Sequence, residues 1–103
     1  MQNKVKEFND SKICHKEPMP VFARLLDIES EIGELVKEYL KSSSYGTRKF
    51  ELTDSFKEEY GDVVYAMLSL SNELGINTEE CLDIVLKKLK LRMEKNNSFG
   101  SGR

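Results

Sequence analysis

Apolar residues recur along most of the chain every three to four positions, the spacing that gathers side chains on one face of an α-helix. Phe22, Leu25, Ile28, Ile32, Leu35, Val36, Tyr39 and Leu40 form the first run and predict a helix from about Val21 to Lys41. Phe56, Tyr60, Val63, Met67, Leu70 and Leu74 form the second, with Thr53 or Asp54 as its N-cap and Gly75 as its stop. Leu82, Val85, Leu86, Leu89 and Met93 form the third, which reaches about Lys95. Asn77 opens that helix, with Glu80 three residues on in the manner of a capping box. Residues 42–48 are a polar loop in which Tyr45 and Arg48 read as ordinary loop positions, with ligand contact as the alternative. Pro18 and Pro20 separate the first long helix from a lead-in, residues 1–20, that holds a short helix around Lys4 to Asn9. Residues 96–103 read as a flexible tail, and no stretch reads as a strand. The fold class is therefore all-α, an antiparallel helical bundle over residues 21–95. Three helices close poorly around one core, so a second copy is expected to complete it, as a homodimer or homotetramer.

The polar positions carry the chemistry. Glu31 and Glu34 form an E-x-x-E, and Glu59 and Asp62 an E-x-x-D. Residues three apart lie near one face of a helix, so two packed helices would bring four carboxylates to one place. Such a set suits a hard divalent cation, Mg²⁺ with Mn²⁺ as a substitute. Asp27 and Glu38 extend the first pair into an acidic stripe, which also admits the plainer reading of a solvated charged face. Small Ala66 beside the second pair leaves room for a ligand, and is equally a good helix former. Gly33 sits mid-helix at a cost of about 1 kcal/mol relative to Ala, and close approach of another helix is one reason to tolerate it. A di-iron bundle would need E-x-x-H motifs. His15 is the sole histidine, lies far from both pairs in sequence, and reads as a surface residue rather than a base.

The segments Glu31-x-Gly33-Glu34-Leu35 and Glu59-x-Gly61-Asp62-Val63 together resemble the MazG-like nucleotide pyrophosphohydrolases, of the all-α NTP pyrophosphatase superfamily. The likeness covers roughly Val21 to Arg92. It implies hydrolysis of a nucleoside triphosphate between the α- and β-phosphates, giving the monophosphate and pyrophosphate, with sanitation of the nucleotide pool as a reasonable role. It further implies Glu31, Glu34, Glu59 and Asp62 as Mg²⁺ ligands, and basic residues of the third helix as phosphate contacts. Among Lys87, Lys88, Lys90 and Arg92 no fixed motif selects. Lys88 and Arg92 are the preferred pair because residues four apart share a face. Chemistry assigns the general base to Glu31 or Glu59, since a carboxylate not fully engaged by metal can take a proton from the attacking water. Phe22, Tyr45, Phe50 and Tyr65 are rings able to stack on a base, although periodicity places Phe22 in the core. The alternative is a helical dimerisation or regulatory module of the same fold that has lost catalysis.

Composition narrows the field. The chain has 103 residues, enough for one small domain, with 39% hydrophobic and 33% charged residues. A net charge of −2 offers no concentrated basic patch for a nucleic acid. Two cysteines, Cys14 and Cys81, suggest neither a disulfide framework nor a zinc site. With no apolar leader and no run long enough to span a membrane, a cytoplasmic location is the expectation.

Overall fold

A computed structural model describes residues 1–11 and 19–98. Cys14 and His15, and residues 99–103 of the expected tail, lie outside them. Four helices follow one another: α1 (Gln2–Asp10), α2 (Val21–Ser42), α3 (Asp54–Leu74) and α4 (Thr78–Ser98). The last runs three residues beyond the expected stop at Lys95, so Asn96 to Ser98 are helical rather than tail.

The ends of α3 are set by local chemistry. The Thr53 hydroxyl accepts a hydrogen bond from the Phe56 amide at 3.1 Å, closing the N-cap. At the other end Gly75 adopts φ +69°, which a Cβ would disfavour. There the Ile76 amide donates to the Ser71 carbonyl at 2.8 Å and the Gly75 amide to the Asn72 carbonyl at 3.3 Å, the paired bonds of a Schellman motif. Two residues later the Asn77 side chain accepts from the Glu80 amide at 3.0 Å and starts α4.

α2 and α3 form an antiparallel pair whose register is fixed at both ends. Arg24 donates to Glu73 at 3.0 Å where α2 begins and α3 ends. At the loop end Tyr39 stacks on Phe50 at 4.9 Å, and Phe50 meets Phe56 edge-on at 5.1 Å. α1 lies antiparallel to α3, with Asn9 bonded to Tyr65 and Ser69, and Gln2 bonded to Asn72 and Ile76.

The expected contribution of the third long helix to the core is not found. Every α4 side chain from Glu79 to Lys95 is exposed, including Leu82, Val85, Leu86, Leu89 and Met93. Among the described residues the buried apolar set is Ile28, Ala66 and Leu68. The radius of gyration is 17.9 Å, against about 13 Å for a compact chain of this length. Phe22, placed in the core by periodicity, is 69% exposed. Periodicity reports which face a helix must bury, but not whether the surface that covers it belongs to the same chain. Phe22, Leu25, Ile32 and Val36 of α2 and Tyr60, Met67 and Leu74 of α3 are all exposed.

Gly33 has no close neighbour either: a Cβ there, or at Gly61, meets nothing within 4 Å. Gly33→Ala and Gly61→Ala are therefore each expected to stabilise the chain by about 0.5–1 kcal/mol, through helix propensity alone. Chemical denaturation measures this. A destabilisation would instead mean that another surface packs against the glycine.

Candidate metal centre

The side chains that α2 turns toward α3 recur as Arg24, Ile28, Glu31, Leu35 and Glu38, all at least partly covered. On α3 the matching series is Phe56, Glu59, Val63, Ala66 and Leu70. Glu31 and Glu59 thus occupy seam positions of the helix pair, where an apolar residue would pack. Asp62, one turn on from Glu59, sits at the exposed edge of the same seam. One carboxylate oxygen from each of Glu31, Glu59 and Asp62 lies within 4.8 Å of the other two.

Glu34, the fourth expected ligand, is not in this group and is exposed. The reason is helical geometry: residues three apart differ by about 60° around the axis. With Glu31 turned into the seam, Glu34 is carried to its outer rim. Its charge is still felt, since it helps raise the pKa values of both Glu31 and Glu59.

Those two carboxyls are held above the ordinary glutamate range. For each the first cause is loss of surrounding water, and the second is repulsion from Asp62. Asp27, Glu59 and Glu34 add to the effect at Glu31, and Glu34, Glu38 and Glu58 add to it at Glu59. No neighbouring cation offsets this repulsion. Among the described residues none of Glu31, Glu34, Glu59 and Asp62 forms an ion pair. The nearby cations are engaged elsewhere: Arg24 with Glu73 at 3.0 Å and Asp27 at 3.8 Å, and Lys41 with Glu38 at 3.7 Å. A set of three hard oxygen donors with uncompensated negative charge fits Mg²⁺ or Mn²⁺.

The other predicted site residues fall elsewhere. Lys88 and Arg92 stand on the exposed α4, which packs on neither α2 nor α3 to any extent, so the fold of one chain does not gather them with the acids. Lys87 and Lys90 share that placement. Ala66 is 1% exposed and fills the core between the helices rather than lining a space beside the acids. Of the candidate stacking rings, Phe50 is committed to Tyr39 and Phe56, and Tyr65 to Phe8 and Asn9. Tyr45 is 74% exposed.

Sequence reasoning passed over the docking of α1. Gln2 and Asn9 are seven apart, two helical turns, which placed these two amides on one face and was the available signal.

Fold and cluster together define a small all-α chain with an acidic site between two antiparallel helices. Its sequence is 36% identical over 78 residues to the uncharacterized protein YpjD of Bacillus subtilis (strain 168), covering 73% of this chain. The match spans 66% of that relative, just under two thirds of its length. No family model and no solved structure matches the chain. No helix among the described residues is long and apolar enough to cross a membrane.

Proposed function

We propose that the chain is a Mg²⁺-dependent nucleoside triphosphate pyrophosphohydrolase. The observation that carries the reading is the placement of Glu31 and Glu59 in the helix seam, with their oxygens within 4.8 Å of each other and of Asp62. Carboxylates at seam positions weaken the apo fold, and a divalent cation supplies the missing positive charge. Glu31, Glu59 and Asp62 would hold the ion, with Glu34 exposed at the rim of the seam. When bound, Mg²⁺ offsets the charge of the triphosphate and lowers the pKa of a coordinated water. Glu31 or Glu59 then takes the proton of the attacking water, a role suited to a carboxyl whose pKa is already raised. Lys88 and Arg92 hold the phosphates in this reading. Because α4 of one chain stands apart from its own acids, α4 of another copy is the source this reading assigns to them. The exposed apolar faces of α2, α3 and α4 are the corresponding contact surface of a homodimer or homotetramer. A cytoplasmic location and pool sanitation complete the proposal.

The test is pyrophosphate release in Mg²⁺ from the common NTPs and dNTPs and from oxidised and methylated analogues. Release from at least one, with the monophosphate as co-product, is expected. Folded protein that releases none in either Mg²⁺ or Mn²⁺ would count against the reading.

A second reading is favoured by one observation, the exposure of all of α4 between Glu79 and Lys95. On this view the chain is a helical dimerisation or regulatory module in which the acids no longer act. Titration with Mg²⁺ separates the two: an enzyme site binds the ion and loses it in Glu59→Gln, while the module is indifferent to both.

A further inference from the structure

α4 leaves α3 through a joint of three residues, Gly75, Ile76 and Asn77. Among the described residues its side chains from Glu79 to Lys95 are all exposed. At this joint a single side chain from α1 makes an unusual set of contacts. The Gln2 side-chain amide donates to the Ile76 carbonyl, and its oxygen accepts from the Thr78 amide at 3.0 Å. One planar group thus pairs with the middle residue of the joint and the first residue of α4, as a neighbouring strand would. The Gln2 backbone carbonyl in turn accepts from the Asn72 side chain at 3.1 Å, which ties this contact to the last turn of α3.

The surroundings leave Gln2 with little help. A groove of about 810 Å³ opens at this junction, lined by Gln2, Lys6, Leu68, Asn72, Ile76 and Leu82 among others. The joint is therefore spanned by hydrogen bonds rather than filled by packing. α1 itself has nine residues and buries none of them, and an isolated helix that short is marginal in water. It is fixed at its far end by Asn9, which accepts from the Tyr65 hydroxyl and donates to Ser69 at 3.1 Å. Phe8 adds an edge-on contact with Tyr65.

We propose that α1 is a strap that sets the direction of α4: anchored on α3 through Asn9, it locks the α3–α4 joint through Gln2. Docked, the strap holds the long helix in one orientation; released, it leaves α4 to pivot about Gly75. The device is independent of what the acidic cluster does.

The test is a spin-label distance measurement on the full chain. Labels go at Glu29→Cys on α2 and Lys90→Cys on α4, with Cys14 and Cys81 changed to Ser. Gln2→Ala is expected to broaden the α2–α4 distance distribution roughly twofold and to speed exchange of the Thr78 amide about tenfold, the loss of one hydrogen bond. Asn3→Ala, an exposed neighbour on the same helix, is expected to change neither. A Gln2→Ala distribution as narrow as the parent's, with helicity retained, would overturn the proposal. Should the alanine variant fail to fold, Gln2→Glu serves in its place. It keeps the acceptor for Thr78 and loses the donor to Ile76, so its distribution is expected to be wider than the parent's, and an unchanged width again overturns the idea.

Discussion

Glu59→Gln is expected to lower pyrophosphate release by at least about a hundredfold, with Asp62→Asn close behind. Each change is nearly isosteric, so the α2–α3 seam stays packed while, on the proposed reading, one metal donor is lost and, if Glu59 rather than Glu31 is the base, one proton acceptor with it. Glu34→Gln is expected to do much less, because Glu34 stands outside the group whose oxygens lie within 4.8 Å of one another. This ordering separates a site built by the fold from one read off the motif alone, where all four acids count equally. Steady-state rates at saturating Mg²⁺ decide it. Equal losses at Glu34 and Glu59 would mean that the working site gathers all four carboxylates.

Stability should respond to pH and to Mg²⁺ in opposite senses. The pKa values of Glu31 and Glu59 are raised in the folded chain, so the folded state holds these protons more tightly than the unfolded state. Their effect on stability is therefore most favourable below the ordinary glutamate range. It is lost as pH rises through the folded values toward neutrality. Without divalent ions, the wild type is expected to lose more stability between mildly acidic and neutral pH than a Glu31→Gln, Glu59→Gln double variant. Adding Mg²⁺ at neutral pH reverses the loss in the wild type only. At a hundredfold excess over the dissociation constant the gain is about 2.7 kcal/mol, a melting shift upwards of about 10 °C for a domain of this size. Thermal melts at two pH values, with and without Mg²⁺, measure both effects. Parallel curves for wild type and variant would show that the seam acids neither repel appreciably nor bind the ion.

Much of the fold was legible in the sequence because its signals are local. Thr53, Gly75 and Asn77 announced helix ends through caps that need only a few neighbouring residues. The periodic runs located α2 and α3 to within a residue. The candidate site was legible in part. The spacing brought out Glu31, Glu59 and Asp62, but which acid of the first pair turns inward depends on the rotation of α2 against α3, and that is fixed far away by Arg24 on Glu73. The third apolar run was readable as a helix and misleading as core, since an amphipathic stripe carries no address for its partner. The docking of α1 was not legible because Gln2 and Asn9 act through polar bonds across 56 to 76 residues of chain, for which no apolar pattern exists.

That separation also orders the assembly of the chain in time. α2 and α3 are joined by an eleven-residue connection, Ser43 to Thr53, and their aromatic corner of Tyr39, Phe50 and Phe56 closes contacts of short sequence span. Short loops close cheaply and early. The helical hairpin that carries the acids is thus the part able to nucleate. α1 is made before the residues it docks on, Tyr65, Ser69, Asn72 and Thr78, which lie 56 to 76 positions further along the chain. A helix made before its own docking surface is thus the last of the three to find its place.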